Sequence, residues 1–230
     1  MSGVLVLTGL ALEARALAAA LGLPRVPGGL RAHYRGPRWE VLAVGPGAAA
    51  LAARIRACRS PALVISAGVC GGLAPTLAPG ALVVPEVVLE ADGPRWTTDP
   101  LDGLPRAGAL LSPPAVVGPV ADKARLHRAT GALAVDLESA PILRWARAHG
   151  LAAAVVRAVA DPADRALAPE LVAALGPDGR VRLWRALGAA LARPRAGLEA
   201  LALGRAVRAA LARVAAALAR VADGVPAMAG

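Results

Sequence analysis

The sequence predicts one α/β domain, in which a mostly parallel, mixed β-sheet lies between two layers of helices, with a helical extension at the C-terminus. Two observations lead to this fold class. Short runs rich in Val, Leu and Ile alternate along the chain with alanine-rich stretches of helical length. The runs are apolar throughout, so each strand needs burial on both faces, which a three-layer α/β/α arrangement provides.

The predicted elements follow one another along residues 1–165. Strands are predicted at 4–7, 39–44, 62–66, 81–89, near 115, at 132–135 and at 152–159, and helices at 13–21, 48–58 and 139–149. No linker or break in composition divides this part of the chain, so we assign it to a single catalytic domain. Ligands of such sheets gather at the carboxyl ends of the strands.

Residues 166–230 form the predicted extension, which ends in a basic, amphipathic helix at about 196–221. Its apolar stripe consists of Leu203, Val207, Leu211, Val214, Leu218 and Val221, and its opposite face carries Arg205, Arg208, Arg213 and Arg220. Two interpretations stay open. The stripe packs on the α/β body and the arginines face solvent, or the helix lies on an anionic membrane surface.

Charge and composition argue against several classes of function. The net charge of +10 comes from 26 basic residues, all but one of them scattered arginines, and only 2% of the residues are aromatic. Without basic blocks interleaved with aromatics, we do not expect nucleic acid as a partner. Cys58 and Cys70 lack a CxxC motif and the three histidines lack ligand spacing, so we expect neither a disulfide nor a metal site.

The predicted location is the cytoplasm. The N-terminus lacks the basic segment of a secretory signal, and two isolated cysteines suit a reducing compartment. The stretch 60–85 carries no charge until Glu86 and is long enough to cross a bilayer, but its many glycines and prolines favour a strand, a glycine loop and a second strand.

The segment SAGVCGGLAPTL, residues 66–77, is predicted to be a loop that follows a buried strand. Its glycines at 68, 71 and 72 allow the backbone to approach a ligand closely, so the loop is a candidate nucleotide or sugar site. A simple strand junction would have a similar composition.

Three acids, Asp136, Glu138 and Asp161, interrupt two apolar runs. An ionised carboxylate in an apolar interior loses much of its hydration energy unless it finds donors, so acids at these positions indicate chemistry. In the strand-like ALAVDLE, period 2 places Asp136 and Glu138 on one face and Leu137 on the other. The alternative is that such an acid caps a helix or pairs with an arginine such as Arg144.

These motifs resemble the nucleoside phosphorylase superfamily and, within it, the methylthioadenosine/adenosylhomocysteine nucleosidases. The matching segments are TGLALEARAL, SAGVCGGLAPTLAPGALVVPE, AVDLES and RAVAD, in the family's order. The downstream DPADRALAPELVAAL and the arginine-rich tail resemble the hopanoid-associated phosphorylase subfamily, whose proposed substrate is adenosylhopane.

The resemblance implies cleavage of a ribosyl to purine bond through an oxocarbenium-like transition state. Asp161 matches the acid that protonates the imidazole-ring nitrogen of adenine. Glu138 matches the residue that grips the ribose hydroxyls and faces the growing cation, and Glu13 matches the carboxylate that activates water. Arg157 lies on the strand that leads to the acid. We expect a dry pocket to raise the pKa of Asp161, and Glu138 to stay ionised.

The resemblance also implies a set of substrate-binding residues. These are Val69, Cys70, Gly71, Val116, Val117, Leu137 and Arg157. The aromatic that stacks on the base in the nucleosidases falls at about Val116, so we expect the base to be held by aliphatic contacts and by the backbone of Val117. Ala160 replaces the hydroxyl residue that usually precedes the acid.

The nucleophile is expected to be water. Related phosphorylases hold phosphate with an arginine and a serine in the glycine loop, where this chain has Ser66 and Val69. Phosphorolysis stays open, because Arg15 or an arginine from a neighbouring subunit can hold phosphate. We expect no cofactor, apart from phosphate in that second case.

We therefore predict a homodimeric enzyme that hydrolyses adenosylhopane to adenine and ribosylhopane, with peripheral contact to the inner membrane face as an open possibility. Three alternatives remain. They are a phosphorylase that gives phosphoribosylhopane, a generic methylthioadenosine/adenosylhomocysteine nucleosidase, and a non-enzymatic membrane-peripheral module.

Overall fold

A computed structural model describes residues 3–30, 32–91, 93–166 and 194–224, with side chains of the last helix described from 201 to 222. Residues 167–193 of the predicted extension lie outside this range. The strands are β1 (Gly3–Thr8), β2 (His33–Arg35), β3 (Trp39–Ala43), β4 (Pro61–Gly72), β5 (Leu82–Val83), β6 (Val87–Glu90), β7 (Arg95–Thr97), β8 (Ala109–Ser112), β9 (Ala134–Val135) and β10 (Ala152–Asp161). The helices are α1 (Ala11–Ala20), α2 (Leu51–Arg54), α3 (Val120–Thr130), α4 (Ser139–Ala148) and α5 (Pro194–Gly224).

The strands form one mixed sheet in the order β2-β3-β1-β4-β9-β8-β6-β7, and β10 pairs with both β4 and β5. Parallel pairing joins β3, β1, β4 and β10, and separately joins β6, β8 and β9. The antiparallel pairs are β2 with β3, β4 with β9, β5 with β10 and β6 with β7. The predicted α/β class with a mostly parallel, mixed sheet is confirmed.

Helices cover both faces of this sheet, as the side chains of β1 show. Successive side chains of a strand point to opposite sides of the sheet. Val6 belongs to a core cluster that it shares with Leu17 of α1 and Leu218 of α5. Leu5 belongs to a second cluster, which includes Ile142 of α4. The result is the three-layer α/β/α arrangement that the apolar strands require.

The last helix, α5, packs on the α/β body through its apolar stripe. Its buried side chains include Leu211, Val214, Leu218 and Val221, and its exposed side chains include Arg205, Arg208, Arg213 and Arg220. The sequence left packing and membrane binding open, and the structure places the stripe in the core that α1 also lines. Within the described residues, no helix has both the length and the apolar character to cross a membrane.

The glycine segment differs most from the prediction, since β4 continues as a strand to Gly72. The glycines are paired within the sheet. Gly68 pairs with Arg157 of β10 and, after a shift in register, Gly71 pairs with Asp161; Gly71 and Gly72 also pair with β9. This pairing keeps the segment extended in spite of its composition, so the predicted loop 66–77 begins only after Gly72.

Three further elements differ from the prediction. The strand expected at 81–89 is divided into β5 and β6 by Pro85, which cannot donate a ladder hydrogen bond. No strand forms near 115, and the neighbouring strand is β8. The helix expected at 48–58 is broken into α2 and short 3₁₀ turns at Pro46–Ala48 and Ile55–Ala57.

Candidate active site

Glu13 is buried in the first turn of α1, just after the carboxyl end of β1. Its Oε2 accepts a hydrogen bond of 2.8 Å from the backbone N–H of Leu10, and its Oε1 accepts one of 3.0 Å from the N–H of Val69. The first bond caps the helix and the second ties the carboxylate to β4. Burial raises the pKa of Glu13, although Arg157 and the Val69 N–H oppose the rise.

Arg157 lies fully buried in β10 and connects the acidic groups. Its Nη2 is 2.7 Å from Asp136 Oδ2 and 3.7 Å from Glu138 Oε2, and it donates to Ser66 Oγ at 2.7 Å. Its Nη1 donates to the carbonyl of Val69 at 3.4 Å. Burial disfavours the guanidinium charge, but the carboxylates around it raise the pKa of Arg157, so it stays cationic.

Gly68 explains how Glu13 and Arg157 reach the same point of β4. A Cβ atom at this position would lie 2.5 Å from Glu13 Oε1 and 2.7 Å from Arg157 Nη1, and the backbone φ is +153°. Both the space and the conformation therefore require glycine. The sequence suggested that this glycine allows close approach to a ligand. In the structure it allows the close approach of Glu13, a predicted catalytic residue, and Arg157, a predicted substrate-binding residue.

Glu138 occupies the N-cap position of α4 and is buried. Its Oε1 accepts a 3.0 Å hydrogen bond from the N–H of Gly47. Burial raises the pKa of Glu138 to about 7; Arg157 opposes the rise, and Asp136 and Glu13 add to it. This raised pKa differs from the expectation that Glu138 stays ionised, because burial outweighs the attraction of the Arg157 guanidinium.

Asp136 has the capping role that the sequence left open as an alternative. Its carboxylate accepts hydrogen bonds from the hydroxyl of Ser112 and from the backbone N–H and hydroxyl of Ser139, at the start of α4. It pairs with Arg157, while Arg144 pairs with Glu90. Asp136 therefore anchors both α4 and the central arginine.

Asp161 ends β10 and is also buried, but its partner is different. Lys123 Nζ lies 2.5 Å from Asp161 Oδ2 and also donates to the carbonyls of Pro162 at 2.9 Å and Arg165 at 2.8 Å. Burial raises the pKa of Asp161, in the expected direction, and the Lys123 ammonium opposes this rise. Sequence reasoning missed Lys123.

The predicted substrate-binding residues surround these acids to different degrees. Val69 is half-buried, and its backbone bridges Glu13 and Arg157. Cys70 is buried, and burial raises the pKa of its thiol. Gly71 lies against the acid, since a Cβ atom there would be 3.2 Å from Asp161 Oδ2.

The remaining predicted contacts are more open. Leu137 is half-buried, with its carbonyl 4.0 Å from a Cβ atom built on Gly47. Val117 is half-buried against the cluster around Leu73, and Val116 is 37% exposed. Glu138 thus lies 3.7 Å from Arg157, and the backbone of Val69 bridges Glu13 and Arg157, while Asp161 lies four residues beyond Arg157 on β10.

A second cluster joins β2 and β3 to the end of the 3₁₀ turn Ile55–Ala57, where ligand atoms of His33, Glu40 and Cys58 fall within 4.8 Å of one another. Glu40 Oε1 is 2.5 Å from His33 Nε2 and accepts a 2.7 Å hydrogen bond from Arg35. The guanidinium therefore already supplies the positive charge that a metal ion would bring. Burial raises the pKa of Cys58 to about 12, so its thiolate is disfavoured.

Comparison with known proteins identifies the family. The model of the Phosphorylase superfamily matches residues 26–115 and 104–191. The chain belongs to the Phosphorylase superfamily. A member of known activity, futalosine hydrolase from Streptomyces coelicolor, is 31% identical over an alignment of length 226. The alignment covers 82% of this chain and 90% of that protein.

Solved structures show the same fold. A Helicobacter pylori MTAN mutant with 5′-methylthioadenosine matches with a TM-score of 0.69 at 14% identity, over 98% of this chain and 100% of that one. Arabidopsis thaliana 5′-methylthioadenosine nucleosidase matches with a TM-score of 0.69 at 17% identity, over 98% of both chains. The predicted superfamily, and an enzyme of the nucleosidase or nucleoside phosphorylase type, are confirmed.

Proposed function

We propose that this member of the Phosphorylase superfamily is a purine nucleosidase that uses water to cleave the N-glycosidic bond of an adenosyl nucleoside. The observation that carries the proposal is the buried group of Glu13, Glu138 and Arg157 beside β1, β4 and β10. Glu138 lies 3.7 Å from Arg157, and the backbone of Val69 bridges Glu13 and Arg157. Buried carboxylic acids whose pKa is raised are suited to proton transfer. Here Arg157 is the cation that opposes the rise for Glu13 and Glu138, and Lys123 is the cation that opposes it for Asp161.

In the proposed reaction, Asp161 donates a proton to the imidazole-ring nitrogen of the purine while the bond between the purine and the ribose anomeric carbon breaks. The purine then leaves as a neutral base. The water oxygen forms a bond to the anomeric carbon and loses a proton to Glu13. Exchange with solvent then returns a proton to Asp161 and removes one from Glu13. The carboxylate of Glu138 faces the cationic carbon, which favours its ionised form in the transition state.

The surroundings of the strand glycines support water over phosphate as the nucleophile. Arg157 is held by Asp136 and Ser66, so its guanidinium is already paired. The Val69 N–H is taken by Glu13. Arg15 is the arginine that the sequence analysis considered for binding phosphate. Its side chain is exposed, whereas Glu13 in the same helix is buried, so Arg15 does not share the buried site of Glu13.

The substrate proposed first is adenosylhopane, on the strength of the sequence resemblance to the hopanoid-associated subfamily. Futalosine is the second candidate, and the similarity to the Streptomyces coelicolor futalosine hydrolase favours it. The proposed setting is a homodimer in the cytoplasm with peripheral contact to the inner membrane face. Because the apolar stripe of α5 is packed in the core, this contact would use its exposed arginines.

The purified full chain incubated with adenosylhopane in detergent, futalosine or methylthioadenosine tests the proposal. We expect the free purine base and an unphosphorylated ribosyl product by mass spectrometry, at a rate that is independent of phosphate. A rate that rises strongly with phosphate, together with a phosphoribosyl product, would replace hydrolysis by phosphorolysis. Release from futalosine or methylthioadenosine without release from adenosylhopane would overturn the lipid substrate.

The substitution Asp161→Asn tests the acid directly. Loss of a general acid lowers turnover by about 10²- to 10⁴-fold, so we expect kcat to fall by this much with little change in the far-UV circular dichroism spectrum. Asp164→Asn is the matched control, because Asp164 is exposed three residues further along the chain. Equal rates for Asp161→Asn and wild type would remove Asp161 from the mechanism.

A further inference from the structure

Lys123 is unusual in both the sequence and the fold. It is the single lysine among 26 basic residues. It is also the one buried residue of α3, an 11-residue helix, and it is fully enclosed. A helix that buries an ammonium group in place of an apolar side chain gains little from the hydrophobic effect at that position, so the charge itself requires an explanation.

The hydrogen bonds of Lys123 show what the ammonium group does. A lysine has three N–H donors, and all three are used, on Asp161 Oδ2 and on the carbonyls of Pro162 and Arg165. The lysine thus fixes one carboxylate oxygen and the chain that follows it. A planar guanidinium directs its donors differently, so arginine would not reproduce this geometry.

The opposite side of the carboxylate is confined by β4. A Cβ atom on Gly71 would lie 3.2 Å from Asp161 Oδ2 and 3.4 Å from Oδ1, so the carboxylate lies directly over this glycine. With Oδ2 bound to Lys123, Oδ1 is the oxygen left for a substrate.

From this geometry we propose that Lys123 is a positioning residue for the proposed nucleosidase reaction: it holds Asp161 so that Oδ1 delivers the proton, and its charge sets the pH range in which that proton is available. The inference rests on the proposed function. It adds a residue that acts through Asp161 and not on the substrate.

The groups that face Asp161 act in opposite directions. Burial raises the pKa of Asp161, whereas Lys123 on α3 and Arg165 in the following segment lower it. On β4, the Cys70 thiol is neutral, because burial raises its pKa. Removal of the Lys123 charge leaves the effect of burial less opposed, so the pKa of Asp161 rises and the carboxyl group keeps its proton to higher pH.

The test compares the full-length variants Lys123→Met and Lys123→Arg with wild type over a range of pH, with the nucleoside that wild type cleaves. For Lys123→Met we expect kcat to fall by about 10²-fold, as for a misplaced catalytic group, and the decline of kcat at high pH to move to higher pH. Lys123→Arg keeps the charge and changes the geometry, so we expect a lower kcat and a decline at the wild-type pH.

Controls separate this inference from a purely structural role. Arg125→Met, an exposed change in α3, should leave both kcat and the pH profile unchanged. If Lys123→Met does not fold, as judged by its thermal unfolding, Lys123→Gln removes the charge and keeps a hydrogen-bond donor. A pH profile that stays fixed when the charge is removed would overturn the inference, whereas an inactive wild type would overturn the proposed function itself.

Discussion

Two buried glutamates, Glu40 and Glu138, each lie beside an arginine, yet their pKa values move in opposite directions. Glu40 accepts hydrogen bonds from Arg35, from the backbone of Arg59 and from His33. These donors outweigh burial and lower the pKa of Glu40. Glu138 has one backbone donor and a 3.7 Å contact with an arginine that Asp136 holds more closely, and its pKa rises to about 7.

The difference shows how to separate a structural ion pair from a site of chemistry in one molecule. The charge of Glu40 is matched by its own donors, so its cluster ties β2 to β3 and has no charge to offer a ligand. The acids around Arg157 outnumber their single cation, and a transition state that develops positive charge would supply the missing partner. The excess of acids around Arg157 therefore distinguishes the proposed reaction site from the Glu40 cluster, whose glutamate is also buried.

The largest expected effect concerns turnover. Glu138→Gln removes the charge that would face the cationic carbon, and we expect kcat to fall by about 10²- to 10⁴-fold, within the range seen for catalytic carboxyl groups. Glu40→Gln should leave kcat near the wild-type value, since Glu40 lies on β3 among structural partners. Steady-state release of the purine base measures both. Equal losses in the two variants would mean that the contrast in charge balance does not locate the site.

The next effect concerns stability and has opposite signs in the two variants. The fold disfavours the ionised form of Glu138, so the protonated form contributes to stability. This contribution is fully present below pH 4.5, the unfolded-state pKa, and is lost as the pH rises through about 7, the folded-state pKa. Glu138→Gln should therefore raise the free energy of unfolding at pH 9, by about 3 kcal/mol for a shift of this size, and the gain should vanish near pH 4.

Glu40→Gln should show the reverse. The pKa of Glu40 is lower in the folded than in the unfolded protein. The ionised form of Glu40 therefore stabilises the fold at a pH above its unfolded-state pKa, and this contribution is lost as the pH falls through its folded-state pKa. We expect a loss of about 1–2 kcal/mol at neutral pH, the scale of a hydrogen bond to a charged group, and a smaller loss in acid. Urea unfolding at pH 4, 7 and 9 measures both variants, and curves with the same pH dependence would contradict the assignment.

The sequence predicted which residues form this candidate site better than it predicted their pKa values. The sequence pattern placed Glu138 at the end of a strand, and the family resemblance added Glu13 and Arg157. In the structure Glu138 lies 3.7 Å from Arg157, and the backbone of Val69 bridges Glu13 and Arg157. The pKa of Glu138 was not predictable, because it depends first on burial and then on the distances from Glu138 to Arg157, Asp136 and Glu13. Packing between segments that are far apart in the chain determines both.

Two other features were missed for the same reason. Lys123 lies in VADKARLHRAT, which has no apolar stripe, so nothing in the local pattern predicts that the lysine is buried. The only available signal was that it is the single lysine in an arginine-rich chain. The glycines of β4 have loop composition, and pairing with β9 and β10, from distant parts of the chain, makes them a strand.

The last prediction concerns Gly68, the point of β4 that the side chains of Glu13 and Arg157 both approach. Gly68→Ala places a Cβ atom 2.5 Å from Glu13 Oε1 at a φ of +153°, so we expect a loss of about 1–3 kcal/mol in the free energy of unfolding and a lower kcat as both side chains move. Gly22→Ala is the control, since Gly22 has a φ of +64° and nothing within 4 Å of a Cβ atom. It should lose about 1 kcal/mol from strain alone and keep its kcat. A Gly68→Ala enzyme with wild-type kcat would show that Glu13 and Arg157 need not meet at β4 for the reaction, and the Arg157 cluster would then be a structural ion pair like that of Glu40.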